Sequence, residues 1–217
     1  MLSASHLAAL LPEVICLAKE AGRAILQVYE RGDLGTTYKE DQSPLTDADL
    51  ASHRLIQQGL HDLDASIPLL SEESKEMAYA QRQDWTDFWL VDPLDGTKEF
   101  IKRNGQFTVN IALISKGSPC LGVVHAPVMQ TTYWGTSGLG AFKQNQEADP
   151  QPIRVGQRQD VLKVVASRSH AGVETEVFLQ KLQVAWTGEV ELLSMGSSLK
   201  LCLVADGQAD LYPRFGP

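Results

Sequence analysis

Glu72-Glu73 and Asp92-Pro93-Leu94-Asp95-Gly96-Thr97 each stand at the end of an apolar run, Ile67-Pro68-Leu69-Leu70 for the first and Phe88-Trp89-Leu90-Val91 for the second. Both runs have the length and composition of buried strands. A central strand in an open α/β sheet delivers its last side chains to the carboxyl edge, where such sheets bind ligands. Two strands with acidic ends can therefore converge on one crevice. Convergent carboxylates repel one another unless a cation neutralises them. Hard oxygen donors select Mg2+, Mn2+ or Ca2+, whereas zinc usually takes histidine or cysteine. The histidines (His6, His53, His61, His125, His170) and cysteines (Cys16, Cys120, Cys202) are scattered without ligand spacing, so no zinc site is expected.

Three other readings of the second motif are weaker. Pro at its second position and Asp-Gly further on are ordinary turn chemistry, but a turn does not account for Glu72-Glu73. An EF-hand loop needs acids at alternate positions and glycine sixth; here Asp95 is fourth and Gly96 fifth. The haloacid dehalogenase phosphatases carry Asp-x-Asp-Gly-Thr with a nucleophilic first aspartate, and this chain has one residue too many between its aspartates. A metal-activated water is the nucleophile that remains.

The elements that must position these acids are legible in outline. Apolar residues at three- and four-residue spacing predict an amphipathic helix over residues 7–29. A short strand at 36–39 leads into a polar segment, and a second helix opens at Leu45-Thr46-Asp47, with Thr46 or Asp47 as its N-cap. Taken alone, Lys39 is a solvated lysine and Asp47 a helix cap. Residues 74–86 read as a mobile connection between the acidic strands. Strands at 106–114 and 119–126 form a hairpin, continued by 131–135 and 140–143. Residues 144–159, rich in Gln, Asp and Pro, mark a boundary between a unit at 1–144 and a second at 160–217. In the second, strands at 161–167, 190–193 and 209–212 alternate with helices at 173–182 and 197–206. Met195-Gly196-Ser197-Ser198-Leu199-Lys200 leaves backbone N–H groups free at a helix start, which suits a phosphate or a simple serine cap equally.

Length and a 43% hydrophobic composition allow a sizeable core, and the net charge of −8 argues against a nucleic-acid surface. No apolar run reaches the roughly 18 residues of a membrane span. The first residues lack a signal peptide's pattern, and three dispersed cysteines suit a reducing compartment. The cytoplasm is the expected location, with the inner face of the cell membrane as an alternative.

At the level of motifs, Leu45-Thr46-Asp47, Glu72-Glu73 and Asp92-Pro93-Leu94-Asp95-Gly96-Thr97, in that order, resemble the inositol monophosphatase superfamily of metal-dependent, lithium-sensitive phosphatases. Lys98-Glu99-Phe100 after the motif, Ser167-Arg168-Ser169-His170, Gly196-Ser197-Ser198-Leu199-Lys200 and Tyr212-Pro213-Arg214 resemble its CysQ branch of 3'(2'),5'-bisphosphate nucleotidases. The resemblance spans essentially the whole chain. It implies a layered αβαβα sandwich of α+β or α/β class and two or three Mg2+ ions. Glu72, Asp92, Asp95 and the Leu94 carbonyl are its expected metal ligands, with Glu73 over a water on the metal. Asp47 and Thr97 are the expected pair that orients and deprotonates the attacking water. Gly96 and Thr97 offer N–H groups to the phosphate, to which Glu72, Leu94 and Asp95 are also close. Gly196, Ser197 and Ser198 contact the substrate, while Lys200 and Arg214 hold its second phosphate.

The implied substrate is adenosine 3',5'-bisphosphate, converted to AMP and linked to sulfate assimilation. Alternatives are an inositol or other sugar phosphate, or a non-catalytic role in binding a phosphorylated metabolite. A homodimer is also implied. Family members continue past the Tyr-Pro-Arg strand into Trp-Asp-x-Ala-Ala, whose aspartate is a metal ligand, so a C-terminally truncated fold is expected of the 217 residues.

Overall fold

The computed structural model describes residues 2–74, 77–156, 160–167 and 172–215. The chain divides into two compact units, Met1–Gln151 and Pro152–Pro217.

In the first unit the predicted amphipathic stripe folds as α1 (Ala4–Tyr29). It begins earlier than the apolar spacing predicts because Ser3 caps it, accepting from the His6 N–H at 3.1 Å. A hairpin of two short strands follows, β1 (Thr37–Tyr38) and β2 (Pro44–Leu45). The next helix, α2 (Asp47–Leu63), is nucleated by a capping box in which Thr46 is the N-cap and Asp49 the third residue. Then come β3 (Leu69–Ser71), one turn of helix α3 (Tyr79–Arg82), β4 (Asp87–Asp95) and a second short helix α4 (Thr97–Ile101). The meander comprises β5 (Thr108–Ser115), β6 (Ser118–Ala126), β7 (Thr131–Thr136), β8 (Gly140–Asn145) and β9 (Gln151–Pro152).

Strands β3 to β9 form one seven-stranded sheet in chain order. The parallel arrangement expected around the acidic ends is confined to β3 and β4, with Leu69 opposite Trp89 and Ser71 opposite Val91. From β4 to β8 every pairing is antiparallel. One parallel pair suffices to bring the acidic ends level, and the Glu72 N–H continues the ladder by donating to the Val91 carbonyl at 3.0 Å.

The period-two alternation of the strands decides which face is buried. Trp89, Val91, Val109, Ile111, Leu113, Leu121 and Val123 point to one face, where Leu10, Val14, Ala18, Ala21 and Ile25 of α1 and Ile56 and Leu60 of α2 complete the core. On the opposite face Leu90 is 45% exposed. At one end of this core the rings of Tyr29, Phe100 and Phe107 pack with centroids 5.1–5.2 Å apart, tying α1, α4 and the start of β5 together. Phe100 is fully buried. Phe100→Ala is expected to lower unfolding stability by about 3–5 kcal/mol, read from urea denaturation.

In the second unit β10 (Val161–Ser167) and β11 (Glu189–Met195) pair in parallel across α5 (Val173–Ala185), the crossover that parallel pairing requires. The last helix is α6 (Leu199–Ala205). The strand expected at 209–212 shrinks to one bridge between Leu211 and Val164. Its reason is local: the Asp210 carboxylate takes the Lys163 N–H at 2.7 Å, so a ladder donor is consumed by a side chain. Arg168, Ser169 and His170, singled out at the end of β10, lie outside the described residues.

Candidate active site

The end of β4 is shaped by a bulge. Asp92 faces Asn110 and Asp95 faces Thr108, so three steps along β4 oppose two along β5. Pro93 has no N–H to lose from the ladder. The Leu94 N–H turns to Asp92 Oδ1 at 3.2 Å, and the Pro93 carbonyl accepts from the Ser52 hydroxyl at 2.7 Å, anchoring the bulge to α2. Gly96 follows at φ 96°, a left-handed conformation that glycine adopts at no steric cost. The chain then reverses into α4, where the Glu99 and Phe100 N–H groups donate to the Gly96 carbonyl at 2.8 and 2.9 Å.

The Thr97 hydroxyl lies 3.2 Å from Asp49 Oδ1 and 3.4 Å from the Leu94 carbonyl. The other oxygen of Asp49 accepts from the Thr46 N–H at 2.7 Å and the Thr46 hydroxyl at 2.6 Å. Asp49 is 1% exposed, and burial raises its carboxyl above the usual range against the opposing pull of the Thr46 and Thr97 bonds. The pairing expected between Thr97 and Asp47 is therefore replaced by Thr97 and Asp49. As the first helical residue, Asp47 is exposed, its N–H donates to the Leu34 carbonyl at 3.1 Å, and its carboxylate sits against Gly35, where a Cβ would come within 2.5 Å of it. Two residues further along a helix is a rotation of about 200°, which takes Asp47 to the far side.

Four carboxylates gather beside this pair. Asp92 is half-buried; desolvation, the charges of Asp95 and Glu72 and a hydrogen bond shared with Glu72 push its carboxyl up to about 9. Glu73 is also raised, mainly by burial. Lys39, which the sequence leaves as a solvated lysine, reaches both glutamates, at 3.0 Å from Glu72 Oε1 and 2.7 Å from Glu73 Oε1. Burial pulls its ammonium down, but the bonds and charges of Glu73 and Glu72 outweigh that and hold it above its ordinary value.

Among the described residues no three His, Cys, Asp or Glu side chains are grouped so that they could hold an ion by themselves. Mg2+ does not require such a group, since it is held by one or two carboxylates completed by water and phosphate oxygens. An all-oxygen donor set whose members destabilise one another without a cation fits that ion.

The raised Asp92 carboxyl makes a stability prediction with a definite sign. Its protonated form is favoured in the folded state, so its contribution is complete below the unfolded value of 3.8 and is lost as pH rises towards about 9. Glu73 and Asp49 act in the same direction. Thermal melts in EDTA should show the metal-free chain losing stability across that window, with the loss reduced in Asp92→Asn and reversed in the unsubstituted chain by Mg2+.

In the second unit, Ser197 adopts φ 50° before α6 and its hydroxyl accepts from the Leu199 N–H at 3.3 Å. Ser198 is the N-cap residue without a side-chain cap bond. The Lys200 ammonium is buried, donating to the Ser197 carbonyl and lying 5.5 Å from the Tyr212 ring centroid. Arg214 is exposed and donates to the Tyr212 hydroxyl at 3.3 Å.

Comparison with known proteins decides the lineage. The inositol monophosphatase family matches residues 7–217. The chain belongs to this family. Its members are generally Mg2+-dependent. The 3'(2'),5'-bisphosphate nucleotidase CysQ of Salmonella typhimurium is 50% identical over 215 residues, covering 96% of this chain and 81% of that protein. CysQ of Haemophilus influenzae is 34% identical over 209 residues, covering 95% and 76%. The crystal structure of CysQ from Bacteroides thetaiotaomicron superposes with a TM-score of 0.82 at 42% identity over 94% of this chain and 79% of that one. The expected inositol monophosphatase-like layered fold is thus present. A Thermotoga maritima inositol monophosphatase, at 22% identity and a TM-score of 0.76, shares the fold.

Within this family frame the first unit brings together Glu72, Glu73, Asp92, Asp95 and Thr97, adds Asp49 and Lys39, and leaves Asp47 aside. Asp49 had a signal. Thr46-Asp47-Ala48-Asp49 is the Thr-x-x-acid pattern of a capping box, which turns the acid back towards the N-cap and into the protein.

Proposed function

We propose that this chain is a Mg2+-dependent phosphatase that removes the 3'-phosphate of adenosine 3',5'-bisphosphate and releases AMP, clearing a by-product of sulfate assimilation in the cytoplasm. The observation that carries the reading is the Thr97 hydroxyl held by a buried, fully engaged Asp49 next to the carboxylates of Glu72, Asp92 and Asp95. The bisphosphate substrate is favoured by relatives named as 3'(2'),5'-bisphosphate nucleotidases and by the cations Lys98, Lys200 and Arg214.

Glu72, Asp92, Asp95 and the Leu94 carbonyl would hold the metal, two or three ions in the active enzyme. When bound, Mg2+ lowers the pKa of water and neutralises charge on the phosphoryl and leaving oxygens. The remaining work belongs to the chain. Asp49 Oδ2 is occupied by Thr46, so its other oxygen orients the Thr97 hydroxyl and leaves a Thr97 lone pair facing the attacking water. The proton passes from that water through the Thr97 hydroxyl to Asp49, whose burial raises its proton affinity. Glu73, also raised by burial, orients a second water for the leaving group. The N–H groups of Gly96 and Thr97 receive the transferred phosphoryl oxygens. Gly196, Ser197 and Ser198 contact the substrate. Lys200 and Arg214 are the cations we assign to the second phosphate. A homodimer is the assembly we assign.

Steady-state phosphate release, with adenosine 3',5'-bisphosphate and inositol 1-phosphate compared at equal Mg2+, tests the substrate. The bisphosphate should give the higher kcat/KM. A preference for inositol 1-phosphate would move the assignment to a sugar-phosphate monoesterase, and turnover of neither would leave a binding protein.

A further inference from the structure

Helix α2 presents three polar side chains on one face. Ser52 and His53 stand three and four residues after Asp49, which places them within about 60° of it on either side of the helix axis. Each reaches a different segment. Asp49 Oδ1 meets the Thr97 hydroxyl at the start of α4 at 3.2 Å, the Ser52 hydroxyl donates to the Pro93 carbonyl in the β4 bulge at 2.7 Å, and His53 Nδ1 lies 2.9 Å from the Ser71 hydroxyl at the end of β3. The first two contacts hold the segment that carries Asp92, Asp95 and Thr97. The third holds the residue directly before Glu72-Glu73.

That strand end depends on outside support. Strand β3 is three residues long and is the terminal strand of the seven-stranded sheet, so its ladder bonds go to β4 alone. The last of them is the bond from the Glu72 N–H to the Val91 carbonyl at 3.0 Å, after which the chain turns, with the Ser74 N–H donating to the Ser71 carbonyl at 3.1 Å. Glu72 and Glu73 are the two residues inside that turn. Ser71 is its root, with the carbonyl closing the turn and the hydroxyl tied to α2. The Ser71 side chain is buried, where a hydroxyl requires a partner, and a hydroxyl can serve either tautomer of the His53 ring.

We infer that His53 is a positioning residue for the metal site, which through the Ser71 hydroxyl fixes the turn that carries Glu72 and Glu73 beside Asp92 and Asp95. It rests on the reading of Glu72 as a metal ligand given above. His53 acts through Ser71 rather than on the reacting atoms. A carboxylate on a fixed turn has less freedom to lose when a cation binds, so the link contributes to affinity without supplying a ligand.

The test titrates Mg2+ into the whole chain by calorimetry, beside thermal melts in EDTA. His53→Ala and Ser71→Ala should each weaken Mg2+ binding about tenfold. The double variant should bind no more weakly than either single one, since all three lack the same bond. His53→Asn places an amide atom where Nδ1 stands, bonded directly to Cγ, and should restore most of the affinity; His53→Gln carries its amide one carbon further out and should not. In phosphate release the loss should appear as a higher half-saturating Mg2+ with kcat retained at saturation. A merely structural contact would lower the melting temperature in EDTA and leave both quantities unchanged. Unaltered Mg2+ affinity in His53→Ala, or losses that add in the double variant, would overturn the inference and leave the metal reading in place. Absence of Mg2+ binding by the unsubstituted chain would overturn both.

Discussion

Asp49→Asn is expected to lower kcat for adenosine 3',5'-bisphosphate by about two to four orders of magnitude, the range of positioned proton transfer. The amide keeps the size of the side chain and can still meet Thr97, but it has no carboxylate to receive a proton. The variant also tests stability, because the Thr46 N–H and hydroxyl both donate to Asp49 Oδ2. An asparagine oriented with its oxygen towards Thr46 preserves those two bonds. Circular dichroism and thermal melting should therefore show a folded protein, and the loss should fall on kcat rather than on KM. Asp47→Asn is the matched comparison. Asp47 is exposed and packs against Gly35, so its variant should retain activity close to the unsubstituted chain. If Asp47→Asn were the inactive one, the Thr97 pairing described above would be functionally irrelevant.

Asp95→Asn is expected to abolish hydrolysis, with a loss of at least about a hundredfold. It removes a ligand oxygen and one of the charges that a bound cation offsets. Its signature is opposite in the two states of the protein. In EDTA the variant should be as stable as the unsubstituted chain or more so, since Asp95 is a repulsive neighbour of Asp92. With Mg2+ it should gain less stability, because the stabilisation that a ligand gives the folded state falls as its affinity falls. A variant that kept full activity would show that Asp95 is not part of the metal site.

Where the sequence was legible, the reason was local. Periodicity in α1 and alternation in β4 to β7 follow from burial of one face, and the acidic strand ends sit side by side because β3 and β4 pair in parallel. Three features escaped for reasons that are not local. The Thr97 partner depends on which turn of α2 faces the bulge, and only the capping box carries that information. Helix α4 is five residues long, too short for a periodic signal, and owes its existence to the reversal at Gly96 and to Phe100 packing on Tyr29 and Phe107. Lys39 is committed to Glu72 and Glu73 across more than thirty residues of sequence, a contact set by the β1–β2 hairpin. The strand expected at 209–212 failed for the reverse reason, because Asp210 competes for a backbone donor that propensity does not register.

The central claim is that carboxylate-held Mg2+ and the Thr97–Asp49 pair together direct water to a 3'-phosphate. Its most direct measurement is a 31P NMR time course of adenosine 3',5'-bisphosphate with the purified chain, run with Mg2+ and again with EDTA. The account predicts loss of the 3'-phosphate signal, growth of inorganic phosphate and a persistent 5'-phosphate signal with Mg2+ alone, the product being AMP. Release that proceeds equally in EDTA, or loss of the 5'-phosphate while the 3'-phosphate remains, would contradict it.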